Sequence, residues 1–219
     1  MNTAILLYDG FTALDAIGPY EVLSRLPGAR VTFVASEPGP VRTDNDMLSL
    51  VAERSLEEMP APEIVLVPGG PGEVAARAGG DALDWLRSAH ETSTWTTSVC
   101  TGSLILASAG LLDGKRATSH WLALETLQGL GAEAVAERVV FDGKIVTAAG
   151  VSAGIDMALT LAAQIAGEQV AHAIQLGIEY DPQPPFDAGS PHKAPAEIVA
   201  LLRANSRFEI GEAEPVATP

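Results

Sequence analysis

Short apolar runs that stop at glycine- or proline-containing turns alternate with helical segments along most of the chain. The clearest runs are rich in apolar and β-branched residues, as in strands buried on both faces of a parallel sheet; they span residues 3–8, 30–35, 64–67 and 95–99. Apolar residues at helical spacing lie between and after them, at about residues 14–26, 82–90, 104–109, 121–130 and 153–166. This alternation predicts an α/β fold, a mostly parallel, doubly wound sheet flanked by helices, with ligands at the carboxyl ends of the strands.

Two segments depart from the alternation. Residues 137–148 contain two β-rich runs around Asp142-Gly143, a strong hairpin signal, so we expect an added β-hairpin at one edge of the sheet. After Tyr180 the chain is rich in proline, and a short helical pattern follows near residues 195–205. We therefore predict a single α/β domain over residues 1–192, with a short C-terminal helix and a flexible tail over residues 193–219.

The composition argues against several classes of protein. A net charge of −15 with no local cluster of Lys and Arg would repel phosphate backbones, so nucleic acid is not an expected partner. No apolar run approaches the length of a bilayer span, and the N-terminus lacks the basic region of a signal peptide, so we expect no membrane attachment and a cytoplasmic location. A single cysteine allows no intrachain disulfide, and the four scattered histidines show no metal-ligand spacing, so neither a metal nor another cofactor is expected.

The single cysteine, Cys100, follows the run at residues 95–99 and precedes Thr101-Gly102 and an apolar helical segment. A tight strand-to-helix turn at this point would expose the sulfur. The helix N-terminus would favour the thiolate over the thiol, so we expect the pKa of Cys100 to be lowered. A lone cysteine is often an inert core residue, but this position favours a nucleophile.

Three other features come after predicted strands or turns. Asp15 follows the first strand and could reach the same sheet edge as Cys100. It could instead simply cap a helix. If it is buried beside a thiolate, its pKa would be raised and it could donate a proton. The glycines of residues 68–72 permit close approach of the backbone and N–H groups aimed at developing negative charge, without the lysine of a phosphate-binding loop. His120 could meet Cys100, although a histidine beside a tryptophan is more often structural.

In the order and spacing of its motifs, the chain resembles the ThiJ/PfpI superfamily, which has a flavodoxin-like, class I glutamine amidotransferase-like fold, over nearly its whole length to about residue 192. The motifs that carry the resemblance are Tyr8-Asp9-Gly10-Phe11, Asp15-Ala16-Ile17-Gly18-Pro19-Tyr20-Glu21-Val22, Pro68-Gly69-Gly70, Val99-Cys100-Thr101-Gly102, Thr118-Ser119-His120-Trp121 and Gly150-Val151-Ser152-Ala153-Gly154-Ile155-Asp156. Within the superfamily, Asp15, Thr101 and the closing stretch at residues 178–191 look most like the isonitrile hydratases. The protease-like and glyoxalase-like branches usually have His directly after the nucleophile, or Glu at the position of Asp15, and this chain has neither.

The resemblance implies a homodimeric enzyme that hydrates isonitriles to N-substituted formamides. In this reaction Cys100 would attack the terminal carbon of the isonitrile, Asp15 would supply a proton, and water would release the product from a covalent thioimidate. Thr101 would position Asp15 or the water. Backbone N–H groups of Gly70 and Thr101, and the backbone of Val151, would border the site, with His120 as an auxiliary residue.

Two alternatives come from other functional classes. Many transcription regulators contain a similar domain as a ligand sensor, but they continue for roughly a hundred residues into basic helix-turn-helix units, and this chain has only a short helix and an acidic tail left. A redox-responsive protein would instead oxidise a low-pKa Cys100 and consume no isonitrile.

Overall fold

A computed structural model describes residues 1–208, and the predicted flexible tail includes residues 209–219, which lie outside them. The strands are β1 (Asn2–Leu6), β2 (Arg30–Ala35), β3 (Gly39–Arg42), β4 (Ser49–Ala52), β5 (Arg54–Ser55), β6 (Ile64–Val67), β7 (Trp95–Val99), β8 (Arg116–Ala117), β9 (Glu133–Ala134), β10 (Val139–Asp142) and β11 (Ile145–Ala148). The helices are α1 (Ala13–Leu23), α2 (Glu73–Ala76), α3 (Asp81–Thr92), α4 (Gly102–Ser108), α5 (Leu124–Gly129), α6 (Ala153–Ala166), α7 (Glu168–Gly177) and α8 (Ala196–Ala204). A 3₁₀ turn over Trp121–Ala123 leads into α5.

The central sheet has the strand order β10-β11-β7-β6-β1-β2-β5. All its pairings are parallel except that of β10 with β11, the hairpin around Asp142-Gly143. The predicted α/β class and the predicted hairpin are both confirmed. The antiparallel pair β3–β4, the short pair β8–β9 and helix α7 are further elements that the sequence patterns did not indicate.

The order of the strands fixes where a ligand site can lie. From β1 the chain first adds β2 on one side and later adds β6 and then β7 on the other, so the loops after β1 and β6 diverge at this point of the sheet. Ligands of open α/β sheets bind in the crevice at such a switch point, at the carboxyl ends of the strands. Asp15, Gly69 and Cys100 follow β1, β6 and β7 respectively, so all three belong to this edge.

The central strands are hydrophobic because both of their faces are covered. Every residue of β6 is buried, and helices α1 and α6 pack against one another on one face of the sheet. The core includes Ile5, Leu66, Val99, Met157 and Leu161, each 0% exposed. Burial of such side chains contributes about 1.5–3 kcal/mol each to folding and gives the site residues a rigid support.

The chain divides into two compact units, Met1–Tyr180 and a second one from Asp181 onward. The first contains the sheet and its helices, and the second contains α8. The expected domain limit at residue 192 remains a prediction. Among residues 1–208, no helix is both long enough and apolar enough to cross a lipid bilayer.

Candidate active site

Cys100 lies in a strained turn between β7 and α4. Its φ angle of 56° falls in the left-handed region, which side chains other than glycine adopt only when their surroundings hold them there. The Cys100 N–H donates to the carbonyls of Ala148 and Ala149 at 3.1 and 3.0 Å. Its carbonyl accepts hydrogen bonds from the hydroxyls of Ser103 at 3.1 Å and Ser119 at 3.0 Å. Both backbone polar groups are therefore fixed, and the two serines are functional supports that the sequence analysis missed.

Asp15 is fully buried in the first turn of α1. Its Oδ2 accepts a hydrogen bond from the Gly69 N–H at 2.9 Å, and the carboxylate also hydrogen-bonds the thiol of Cys100. Burial raises the pKa of Asp15 to about 7, although the Gly69 and Cys100 hydrogen bonds oppose the rise; the Asp44 carboxylate adds to it. Asp15 can therefore exchange a proton near neutral pH, and the expected upward direction of its pKa is found.

The expectation of a lowered pKa for Cys100 is wrong. Burial and the neighbouring Asp15 carboxylate raise the pKa of Cys100 to about 12, although hydrogen bonds from the backbone N–H groups of Val151 and Thr101 to the sulfur lower it. The Thr101 N–H at the start of α4 offsets these effects only in part, because the sulfur is buried and Cys100 is only 6% exposed. The pair at rest is consequently a thiol that faces a carboxyl group, and the thiol ionises easily only if Asp15 takes its proton.

The glycine turn after β6 brings the main chain unusually close to Thr101. A Cβ atom on Gly69 would lie 2.5 Å from the Thr101 nitrogen, and one on Gly70 would lie 2.4 Å from the Gly10 carbonyl oxygen. The Gly70 N–H donates to Thr101 Oγ1 at 3.0 Å. The donor to Asp15 is thus Gly69, and the roles assigned to Gly70 and Thr101 toward a substrate remain predictions.

The turn after β11 supplies the remaining donor. Val151 has a φ of 34°, also in the left-handed region, and its N–H reaches the Cys100 sulfur. His120 packs on this turn, since a Cβ on Gly150 would lie 2.7 Å from its Cδ2. The Leu122 N–H donates to His120 Nδ1 at 3.3 Å, which caps the 3₁₀ turn. Through these contacts His120 supports the turn that contains Val151. An auxiliary role of His120 in catalysis remains a prediction.

Within the part of the chain that the structure describes, no group of three or more His, Cys, Asp or Glu side chains is arranged to hold a metal ion. The site that emerges consists of one thiol, one buried carboxyl group and two backbone donors to sulfur. Such a set can carry out nucleophilic addition with proton transfer.

Residues 1–164 match the model of the DJ-1/PfpI family. The chain belongs to the DJ-1/PfpI family. The resemblance to the ThiJ/PfpI superfamily is thereby confirmed. A solved member, a ThiJ/PfpI family protein from Pseudomonas syringae, superposes with a TM-score of 0.90 at 38% identity and covers 93% of this chain and 84% of its own.

Two relatives in this family represent different kinds of protein. An isonitrile hydratase of Pseudomonas putida is 44% identical over 93% of this chain and 89% of its own length. The HTH-type transcriptional regulator CdhR of Pseudomonas aeruginosa is 34% identical over 76% of this chain, and the match covers 51% of the regulator. The chain thus matches the hydratase over most of both proteins and the regulator over about half of its length.

Proposed function

We propose that this protein is an isonitrile hydratase, in which Cys100 adds to the terminal carbon of an isonitrile and water releases an N-substituted formamide. The observation that carries the proposal is the buried pair of Cys100 and Asp15, a nucleophile in direct contact with a group that can take and return its proton. The 44% identity to the Pseudomonas putida hydratase over most of both chains supports the same activity.

The first half of the reaction adds the thiol across the isonitrile carbon. As the sulfur bonds to the terminal carbon, the thiol proton passes to Asp15, and Asp15 delivers it to the same carbon. The result is a thioimidate, Cys100-S–CH=N–R, with no atom lost. The transfer avoids two adjacent negative charges, which the buried position of both groups would make costly.

The second half adds water to the thioimidate carbon. Asp15 accepts one proton from the attacking water and passes it to the nitrogen of the adduct; it then takes the remaining hydroxyl proton as the C=O bond forms and the carbon–sulfur bond breaks. The sulfur leaves as a thiolate toward which the N–H groups of Val151 and Thr101 point, and it regains a proton from Asp15. The products are R–NH–CHO and free enzyme.

The near-complete burial of Cys100 also favours a slender electrophile. Only 6% of the residue is exposed, and the terminal carbon of an isonitrile is the end of a linear group that needs little width to reach the sulfur. The same burial argues against a redox-responsive role, because oxidation by peroxide follows thiolate character and exposure, and Cys100 has little of either.

We further propose that the protein is a cytoplasmic homodimer that acts on a small molecule and does not bind nucleic acid. The net charge of −15 supports the last point. Light scattering at micromolar concentration is expected to give twice the chain mass of 22.7 kDa, and a monomer would contradict the dimer.

Turnover of aliphatic and aromatic isonitriles by purified protein tests the proposed function, with the matching formamide measured by chromatography. Wild type is expected to form formamide, Cys100→Ala to form none above the buffer control, and Asp15→Asn to lose most of its activity. Absence of formamide with wild type for every isonitrile would refute the proposal and favour a sensor instead.

A further inference from the structure

A cluster of polar side chains brackets the turn that carries Val151. Arg138 directly precedes β10, and its carbonyl accepts a hydrogen bond from the Ala149 N–H at 2.9 Å. Its side chain reaches the start of α6, where Nη2 donates to Ser152 Oγ at 3.3 Å and Nε donates to Asp156 Oδ2. Arg138 therefore holds the turn at both ends, before Gly150 and after Val151.

The turn needs such support because its conformation is unfavourable. A β-branched residue such as Val151 adopts a left-handed φ only where neighbouring contacts impose it. The Val151 N–H of this turn donates to the Cys100 sulfur. The neighbouring Gly150 packs against the ring of His120. The first turn of α6 is tied to the sheet by the ion pair of Arg138 with Asp156, whose side chains are 52% and 30% exposed.

Tyr180 completes the cluster. Its hydroxyl hydrogen-bonds the side chains of both Asp156 and Arg138, so the pair is held from the side by a third group. An isolated, half-exposed ion pair contributes little to stability, but an arginine that bonds both Ser152 and Asp156 ties the residue before β10 to the start of α6. A role in placing the turn explains this arrangement better than a role in overall stability.

We propose that Arg138, held by Asp156, is a positioning residue for the reaction: it fixes the turn so that the Val151 N–H points at the Cys100 sulfur. The inference rests on the proposed function for its kinetic consequence, but the geometric claim concerns the sulfur alone. Arg138 acts through the Val151 backbone and is not itself a catalytic residue. Its contribution is greatest when the sulfur carries negative charge, both during attack and when the thiolate leaves.

Alkylation of the thiol by iodomethane, an electrophile small enough for the nearly buried sulfur, measures the geometric claim independently of isonitrile turnover. Cys100 is the only cysteine of the chain, so all thiol alkylation reports on it. In Arg138→Met the hydrogen bond to the thiolate is weakened, and we expect alkylation to slow by about three- to tenfold, with its pH profile moved to higher pH. Arg138→Lys keeps the charge without the two-pronged contact and is expected to recover only part of the rate.

Three titratable groups near the thiol could affect the pH dependence of its alkylation. Asp15 faces the thiol from α1, Asp44 acts on Asp15, and His120 lies against Gly150. All three are unchanged in the test variants, and Arg138→Lys also keeps the positive charge that Arg138→Met removes. The matched control is Arg116→Met, which breaks the 2.6 Å ion pair between Arg116 and Glu137. The side chains of this pair are 46% and 54% exposed, so the control also removes an exposed arginine.

The kinetic arm measures formamide production. Arg138→Met and Asp156→Asn are each expected to lower kcat with little change in KM, whereas Arg116→Met is expected to match wild type in turnover and alkylation. The double variant is expected to fall no further than the worse single variant, since the two residues act as one unit. Alkylation at the wild-type rate and pH in a folded Arg138→Met protein would overturn the proposal. If wild type gives no turnover, the proposed function fails but the alkylation result still decides the role of Arg138.

Discussion

The buried carboxyl group of Asp15 should make the protein less stable at neutral pH than at acidic pH, and Asp15→Asn should remove that dependence. Asp15 is 0% exposed and faces the Cys100 thiol, so its charged form is poorly solvated in the folded state. In the unfolded chain the same group is fully hydrated. Folding therefore favours the protonated form of Asp15.

The sign and size of the effect follow from proton binding. Burial raises the pKa of Asp15 from 3.8 to about 7. Between these two values the folded state binds a proton that the unfolded state has released, so the free energy of unfolding falls as pH rises through this window. The full shift corresponds to about 4 kcal/mol, as an upper bound, because each pH unit is equivalent to 1.36 kcal/mol.

Urea unfolding of wild type and Asp15→Asn at intervals from pH 3.5 to pH 8 measures this difference. The neutral amide should be more stable than wild type by about 2–4 kcal/mol at pH 8, and the advantage should disappear as pH falls below about 4. Comparison of the two proteins at each pH cancels the titration of all other groups that they share. A difference that stays constant over the whole range would refute the claim that Asp15 is a buried, proton-exchanging group.

Two further substitutions test the surroundings of Asp15. Gly69→Ala places a Cβ 2.5 Å from the Thr101 nitrogen and 2.9 Å from Asp15 Oδ2, so we expect a loss of about 1–3 kcal/mol in urea unfolding and about 100-fold in formamide formation. Gly129→Ala, which meets nothing within 4 Å, should leave turnover unchanged; equal losses in both variants would contradict the steric argument. Asp44→Asn removes a carboxylate that raises the pKa of Asp15, so the acidic limb of the pH–rate profile should move to lower pH, and an unmoved limb would show that Asp44 does not act on Asp15.

Much of the fold could be predicted because buried parallel strands have a strong local signature. The runs at residues 64–67 and 95–99 coincide with β6 and β7, and α6 spans the predicted residues 153–166. The pair β3–β4 lacks this signature, since β3 is only four residues long and contains a proline. Helix α7 was missed because only Gly167 separates it from α6.

The sequence predicts which residues form the site more readily than it predicts their pKa values and hydrogen-bond partners. Position after a strand was enough to bring Cys100 and Asp15 to one edge, because the carboxyl ends of parallel strands share it. The Gly69 donor to Asp15 is 54 residues away in sequence, and the serines that hold the Cys100 carbonyl carry no local signal of that role. The direction of the Cys100 pKa depends on burial and on the Asp15 charge, both of which are properties of the folded chain.

The central claim is that Cys100 forms a covalent thioimidate on the way to the formamide. Mass spectrometry of the intact enzyme and of its peptides, after mixing with less than one equivalent of isonitrile and quenching in acid at successive times, measures it most directly. The account predicts that wild type gains the whole mass of one isonitrile, on the peptide that contains Cys100, and that the adduct decays as fast as formamide appears in a single turnover. Formamide produced at an undiminished rate by Cys100→Ala, or an adduct located on another residue, would contradict it.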